Sequence, residues 1–225
     1  MTFIVAEECV QLGLRAAAIV FRNVHIHPSN SDLRMVIGKE AAAVRSRFSS
    51  PNSIRADPLV SRFQSILRKV GVSPKTDRPS VERLLAFSLK RCDLPAINDL
   101  VDAYNLISIR SFCSLGAHDL NRIILPVSLR ILNGTESFTP LGSNQPVPSM
   151  AGEFGYVDAS NRLLCRLDIL QADFSKVTES TKNALMIVEG TDTHSQQIIR
   201  QACEDVIQLV THYCGGAGEI VCFPE

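Results

Sequence analysis

The sequence predicts an α+β fold on three observations. Helical spacing of apolar residues dominates the first half, short strand-like runs separated by Gly, Pro and Asn fill residues 125–190, and one helix followed by one strand closes the chain. The chain has 225 residues, is 45% hydrophobic and contains no Trp. This length suits one large domain, or one domain with a small attachment, whose core consists mainly of Ile, Leu, Val and Ala.

The first fifty residues predict strands followed by a helix. Runs 3–5 and 18–21 are strand-like, and the wider apolar stretch 14–21 is either a strand or another buried segment. Residues 31–50 predict a helix, and the Ser, Pro and Asn residues at 49–53 predict a loop after it.

Two further helices carry recognisable start signals. Asp57 followed by Pro58 is typical of an N-cap and the first helical position, and Gly71 stands where a helix of this length ends. The second helix is expected to begin with Ser80 as its cap, because the residues after it repeat with helical spacing.

A third helix is predicted over residues 95–111. Asn98, Asp102 and Asn105 recur at spacings of four and three, which places them on one polar stripe. The spacing alone indicates only a helix face that satisfies nearby backbone groups.

The second half predicts a sheet and a closing helix–strand unit. Its strand-like runs are 129–132, 154–157, 163–167 and 184–188. A helix is predicted over 193–213, the glycines at 215, 216 and 218 end it, and residues 220–223 predict a last strand. These glycines follow a helix instead of preceding one, so they do not form a phosphate-binding loop.

The charge balance limits the expected contact with nucleic acid. Lys plus Arg and Asp plus Glu both number 23, and a net charge of zero argues against a large electrostatic footprint. Positive charge is nevertheless concentrated locally, at Arg62, Arg68 and Lys69 and again at Arg78 and Arg83. A small contact to the end of an RNA therefore stays compatible with the sequence.

The sequence predicts no metal, no cofactor and no membrane segment. The seven Cys include no CxxC pair, and the five His lack the spacing of metal ligands. The odd Cys count and the lack of a signal peptide favour a reducing, cytoplasmic setting. Apolar stretches fall far short of the roughly 20 residues that span a bilayer.

Two segments carry a resemblance to a known family. Residues 94–108, closed by 116–120, and residues 175–183 resemble the editing module of the phenylalanyl-tRNA synthetase β subunit, of the B3/B4 type. Residues 134–141 with 152–153 also fit a freestanding version of this module. The resemblance covers residues 55–190 well, and the N-terminal residues 1–54 and the C-terminal helix and strand in 191–225 more loosely.

This resemblance implies a fold, a partner and a reaction. It implies one editing-module-like domain over residues 1–225, with a three-layer arrangement around a central β-sandwich of unusual topology. In the synthetase the module hydrolyses tRNA-Phe mischarged with tyrosine. It thus implies an RNA-binding hydrolase for translation fidelity, acting on a tRNA acceptor end or aminoacyl-tRNA. The chain is too short for the other parts of a synthetase, so we do not expect ligase activity.

The family's site residues transfer onto named positions. The active-site Glu of the family falls at Asp173, its two preceding glycines at Gln171 and Ala172, and its Thr at Thr181. The family's His falls at Gly116. His118 follows two positions later. We therefore predict Asp173, Thr181 and His118 as catalytic residues.

Four further residues are predicted to bind the substrate, namely Asn98, Asn105, Glu153 and Arg166. Each candidate also has a structural interpretation. Asp173 is compatible with a plain loop carboxylate, Thr181 with a turn-capping hydroxyl, and His118 with a turn or N-cap. Arg166 lies in an apolar run, so it needs a partner if buried, and Glu153 is the expected one.

Three functions stay open at this point. The first is a deacylase that acts on mischarged tRNA in trans. The second is a non-catalytic module that binds an amino acid, a tRNA end or a protein with the same pocket. The third is small-molecule chemistry unrelated to tRNA, which the neutral charge allows.

Overall fold

Two β-sheets and a helical layer make up the described region of the chain, residues 2–224 of a computed structural model. The strands are β1 (Phe3–Val5), β2 (Leu14–Arg22), β3 (Ser114–Asp119), β4 (Val127–Ile131), β5 (Phe154–Val157), β6 (Leu163–Arg166), β7 (Leu170–Gln171), β8 (Asn183–Thr191) and β9 (Ala217–Cys222). The helices are α1 (Glu7–Leu12), α2 (Ser31–Arg47), α3 (Pro51–Ala56), α4 (Pro58–Lys69), α5 (Ser80–Arg91), α6 (Asp99–Ser111) and α7 (Gln196–Cys214).

The strands form two separate sheets. The first has four antiparallel strands in the order β3-β8-β2-β9, and the second has five strands in the order β1-β4-β5-β6-β7. Within the second sheet, β1 pairs with β4 in parallel and the remaining neighbours are antiparallel.

The four-stranded sheet is the middle layer, because both of its faces are buried. Side chains along β2 alternate between two cores: Ala17, Ile19 and Phe21 pack with the helices, whereas Ala18 and Val20 pack against the five-stranded sheet. A strand buried on both faces is apolar at nearly every position, as β2 and β8 are. The expected three-layer α+β fold with a β-sandwich at its centre is confirmed.

Helix α6 lies inside the helical layer and has buried residues on all sides. It begins at Asp99, four residues later than predicted, because the Asn98 side chain is the N-cap and accepts a hydrogen bond from the Val101 amide at 2.9 Å. The Asp102 carboxylate holds the preceding segment in place by accepting a bond from the Ile97 amide at 3.0 Å.

Two local predictions need correction. The loop expected at 49–53 runs into helix α3, because Ser50 and Ser53 form a reciprocal capping box that starts a helix at Pro51. Ser80 is not an N-cap. Pro79 occupies that position, and the Ser80 hydroxyl instead contacts the Ser114 hydroxyl and the Asp168 carboxylate.

The sequence interpretation also missed helix α1 and strands β3 and β7. Helix α1 and strand β7 have six and two residues, which are too few to show a period. The last strand begins at Ala217, so it includes one of the glycines expected to precede it. No helix between residues 2 and 224 is long and apolar enough to cross a membrane.

The packing of the middle layer makes one stability prediction. Ile19 is 0% exposed and Ile97 is 58% exposed, so the same substitution at each position separates burial from residue type. We expect Ile19→Ala to lower the free energy of unfolding by about 2–5 kcal/mol and Ile97→Ala by less than about 0.5 kcal/mol. Urea unfolding followed by circular dichroism measures both. Equal losses would contradict the assignment of β2 to the middle layer.

Candidate functional site

A cavity of about 310 Å³ opens at one edge of the sandwich. Strands β3 and β7 are the edge strands there, and helices α5 and α6 pack against β3. The cavity is lined by Ser80, Arg83, Leu84, Phe87, Pro95, Tyr104, Asn105, Leu115, Gly116, Cys165, Asp168, Ile169 and Gln171. Its volume is at the lower end of the roughly 300–1,000 Å³ that small-molecule sites occupy. We call it the edge cavity.

A strained turn delivers Asp168 to the edge cavity. Leu167 and Asp168 have φ angles of 56° and 57°, and the Ile169 amide donates to the Arg166 carbonyl at 2.9 Å. This is the pattern of a type I′ turn, in which Asn and Gly are the favoured residues. A left-handed conformation costs other residues about 1–2 kcal/mol each, and such strain is concentrated at functional sites.

The surroundings of Asp168 favour its protonated form. Burial raises the pKa of the Asp168 carboxyl from 3.8 to about 7, although hydrogen bonds from Ser114 and Ser80 oppose the shift. The Ser80 hydroxyl donates to the carboxylate at 3.1 Å. No basic side chain forms an ion pair with Asp168 between residues 2 and 224. Asp168 is therefore a carboxyl group that changes charge near neutral pH.

A second buried carboxyl group lies behind Asp168. Glu189 on β8 points between the two sheets, where the Tyr156 hydroxyl donates to its Oε2 atom. Burial and the charge of Asp168 hold the pKa of Glu189 well above its usual range. Because Glu189 is fully buried and Asp168 faces the cavity, Glu189 stays neutral and Asp168 carries the titration.

Several polar groups in the edge cavity are free to bind a ligand. Within residues 2–224, the Asn105 amide and the Tyr104 hydroxyl have no hydrogen-bond partner, although both residues are mostly buried. Gln171 donates from Nε2 to the Ala117 carbonyl at 3.0 Å and keeps its carbonyl oxygen free. A Cβ atom at Gly116 would meet nothing within 4 Å, so open space lies in front of this residue. These polar atoms are open to the cavity, so they are available to bind a ligand that enters it.

The three residues predicted to be catalytic lie outside the lining of the edge cavity. His118 is buried on β3, with its Nδ1 atom 3.0 Å from the Ser175 hydroxyl and 3.5 Å from Gln171 Nε2. Burial lowers the pKa of His118 to about 4, so the ring is neutral. It is part of a strand, which corrects the alternative interpretation as a turn or N-cap.

Thr181 and Asp173 have local partners. The Thr181 hydroxyl accepts from the Thr178 amide at 3.0 Å and donates to the buried Asp119 carboxylate at 2.7 Å. Asp173 lies on the surface, where it accepts from Lys176 Nζ at 2.8 Å. That hydrogen bond holds the pKa of Asp173 below its usual range.

The predicted substrate-binding residues separate into three places. Asn105 lines the edge cavity, whereas Asn98 caps α6. Glu153 and Arg166 form a two-point ion pair at 2.6 and 2.5 Å, and Arg166 Nη1 lies 3.3 Å from Asp77. The hydrogen bond to Glu153 is the main cause that raises the pKa of Arg166. Arg166 shares its hairpin with Asp168, so the pair anchors the turn.

Metal ligands do not cluster in this region of the molecule. Between residues 2 and 224, no group of three or more His, Cys, Asp or Glu side chains could hold a metal ion. Cys165 lines the edge cavity, but burial raises the pKa of its thiol well above the usual range. It is therefore protonated at neutral pH and a poor nucleophile or metal ligand.

Residues 63–215 match the sequence profile of the B3/4 domain. The chain belongs to the B3/4 domain family. All residues that line the edge cavity fall within the matched range.

Relatives of this B3/4 domain include β subunits of a tRNA ligase. A phenylalanine–tRNA ligase β subunit from Pyrobaculum aerophilum is 24% identical over an alignment of 158 residues, and the match covers 60% of this chain and 30% of that subunit. A probable phenylalanine–tRNA ligase β subunit from Vairimorpha ceranae is 24% identical over an alignment of 140 residues, and the match covers 53% of this chain and 26% of the relative. The chain thus spans under a third of each.

A solved structure gives a weaker likeness. An N-terminal fragment of the phenylalanyl-tRNA synthetase β subunit from Pyrococcus horikoshii superposes on 96% of this chain and 50% of its own, with a TM-score of 0.48 and 13% identity.

Sequence reasoning missed the residue at the centre of the B3/4 cavity. Asp168 lies in an apolar run without Gly or Asn, so nothing marked Leu167 and Asp168 as a left-handed turn. Ser80 was interpreted only as a helix cap. The one usable signal for a site near Asp168 was the run Leu170–Gln171, because Gln171 stands where the family motif has a glycine.

The neutral state of His118 makes a pH prediction. Its folded pKa of about 4 lies below the unfolded value near 6.5, so the stability it contributes is present above pH 6.5 and is lost as pH falls towards 4. We expect His118→Gln to reduce the loss of unfolding free energy between pH 7 and pH 4 by about 3 kcal/mol. Urea unfolding at several pH values measures this loss.

The matched control is His25→Gln, which removes an exposed imidazole. This variant should lose as much unfolding free energy between pH 7 and pH 4 as the wild type does. Identical acid dependence for His118→Gln and the wild type would contradict a buried, neutral His118.

The raised pKa of Asp168 makes a prediction of opposite sign. A carboxyl with a folded pKa of about 7 and an unfolded pKa near 3.8 destabilises the fold progressively as pH rises between these values. Asp168→Asn should therefore increase thermal stability more at pH 8 than at pH 5. Melting temperatures of the wild type and the variant at a series of pH values check this. A gain at pH 8 that is equal to or smaller than the gain at pH 5 would show that Asp168 ionises without a cost in stability.

Proposed function

We propose that the chain binds the aminoacyl end of tRNA in the edge cavity and hydrolyses the ester of mischarged tRNA in trans. The observation that carries this proposal is Asp168, a carboxyl group with a pKa of about 7 in a cavity with unpaired polar groups. Membership of the B3/4 domain family and the likeness to tRNA ligase β subunits support the substrate class. In this function, residues 1–225 act as one editing domain in the cytoplasm.

Asp168 is suited to activate the attacking water. A general base works best when its pKa is close to the working pH. The ionised carboxylate removes a proton as the water oxygen bonds to the ester carbonyl carbon. The C–O bond to the ribose then breaks, and the proton passes to the departing ribose oxygen. No cofactor enters this balance, because the ester is already activated.

Other groups in the edge cavity supply orientation and charge stabilisation. The Asn105 amide N–H and the Tyr104 hydroxyl are free donors for the carbonyl oxygen as it becomes negative. The apolar wall of Leu84, Leu115 and Ile169 suits an amino-acid side chain, and the space in front of Gly116 enlarges that region of the cavity.

Most of the residues predicted from the family resemblance hold other parts of the site in place. His118 lies behind Gln171, and Thr181 fixes Asp119 at the end of the same strand. Glu153 and Arg166 brace the hairpin that carries Asp168. Asp173 lies on the surface beside Lys176 and makes a suitable comparison for Asp168, because both are aspartates in the same segment.

Binding without turnover is the second candidate function. It is favoured by the free Asn105 and Tyr104 groups, which point to a ligand but require no reaction. A non-catalytic module would show ligand-dependent increases in melting temperature without loss of any ester.

The test follows ester loss from a panel of correctly and incorrectly aminoacylated tRNAs. We expect selective hydrolysis of one mischarged species, with kcat/KM rising as pH passes through about 7, since the ionised base is required. Asp168→Asn should lower kcat by about 10²- to 10⁴-fold.

Asp173→Asn is the matched control and should stay within a few-fold of the wild type. Activity that survives Asp168→Asn but is lost in Asp173→Asn or Thr181→Ala would return catalysis to the motif residues. No ester loss with any tRNA would reject the hydrolase and leave the binding module.

A further inference from the structure

A second concave surface lies on the other side of helix α5 from the edge cavity. It encloses about 630 Å³, with Phe48, Ala86 and Leu89 at its base and the cations Arg45, Arg78 and Lys90 around it. We call this surface the basic groove. It joins the end of α2, the start of α3, Arg78 in the segment that leads into α5, and part of α5 itself.

The cations of the basic groove have no protein counter-charge. Arg45, Arg78 and Lys90 are exposed, and none forms an ion pair or a side-chain hydrogen bond within residues 2–224. Arg47 and Arg55 nearby behave differently, since they pair with Asp57 and Glu82.

The net charge of zero therefore hides a local excess of positive charge. No Asp or Glu lines the groove among the residues that the structure describes. Three cations held on one concave surface without anions repel one another, and an anionic ligand relieves that repulsion.

Helix α5 connects the basic groove to the edge cavity. Arg83, Phe87 and Lys90 are exposed and follow one another at spacings of four and three, so they form one ridge about 10 Å long on the helix. Arg83 and Phe87 line the edge cavity, whereas Lys90 lines the groove. The Phe87 ring is 38% exposed although it is a large apolar side chain.

We propose that the basic groove holds the phosphate backbone of a single-stranded RNA end that leads into the edge cavity. The inference rests on the proposed function, because that function places the reacting end of the RNA in the edge cavity. The evidence for the path of the strand is the basic groove itself. Arg45, Arg78 and Lys90 contact successive phosphates. The ridge carries the strand into the cavity, where Arg83 meets the last phosphate and Phe87 offers a face on which a base stacks.

The geometry favours RNA over other polyanions. A membrane surface is flat, whereas this surface is concave and lies beside the exposed ridge of α5 that also borders the edge cavity. A single-stranded RNA end combines a row of phosphates with bases that stack on aromatic rings, and this combination matches the cations and Phe87 on one ridge.

The test measures binding and does not depend on hydrolysis. A fluorescein-labelled RNA minihelix with an unpaired ACCA 3′ end is titrated with protein at several KCl concentrations, and anisotropy gives the affinity. Arg78→Ala with Lys90→Ala removes two groove cations. Lys39→Ala with Lys182→Ala removes two exposed cations elsewhere and is the matched control, since both pairs change the net charge equally.

We expect the groove variant to bind about tenfold more weakly than the wild type, and the control to bind within about twofold. The slope of log affinity against log salt should become shallower by roughly 0.7 for each phosphate contact removed, and only in the groove variant. A blunt duplex without the ACCA end should bind more weakly than the minihelix. The groove variant and the control variant should bind this duplex with equal affinity.

Equal affinities and equal salt slopes for the two variants would overturn the proposal. So would binding to vesicles of phosphatidylserine and phosphatidylcholine that depends on the groove cations while the minihelix does not bind. Hydrolysis of a short aminoacyl-adenosine ester is the separate readout for the edge cavity. If no ester is cleaved but RNA binding depends on the groove, the groove stands and only the proposed reaction fails.

Discussion

The structure of the site depends on one electrostatic constraint, which is that Asp168 and Glu189 share a buried region without a cation. In the described region of the chain, neither carboxylate has a basic partner, and both pKa values are raised by burial. Two ionised carboxylates there would repel strongly in a low-dielectric setting. Glu189 therefore stays neutral against Tyr156, and Asp168 is left as the group that takes or releases a proton.

The three-layer architecture explains why this pair lies where a ligand can reach it. The middle sheet supplies Glu189 from its buried interior, whereas the hairpin between β6 and β7 supplies Asp168 from the edge of the second sheet. Helices α5 and α6 then close the cavity from the side. Arg83 and Phe87 of helix α5 line the edge cavity, and Lys90 of the same helix lines the basic groove. One helix therefore borders both the cavity of Asp168 and the unpaired cations.

The sequence predicted those features that depend on short-range rules. Asp57 and Pro58 start a helix as expected, and the alternating runs form the sheets. Of the two Asn residues predicted to bind the substrate, Asn105 lines the edge cavity and Asn98 does not, and their role in binding stays a prediction. The role of Asp168 was not predicted. It depends on a left-handed turn and on burial against β8, and the residues next to Asp168 in the sequence indicate neither of them. Arg78 and Arg83 were noted as local charge, but only the fold shows that they lack the partner that Arg62 finds in Asp192.

The ionisation of Asp168 tests this account most directly. The carboxyl carbon of Asp168 can be followed by ¹³C NMR as a function of pH, with its signal assigned through loss in Asp168→Asn. We expect a titration midpoint near 7, with no second carboxyl in the site ionising below it. A midpoint near 3.9, the value of an ordinary exposed aspartate, would contradict it, because Asp168 would then be a permanently charged group and not a base poised at neutral pH.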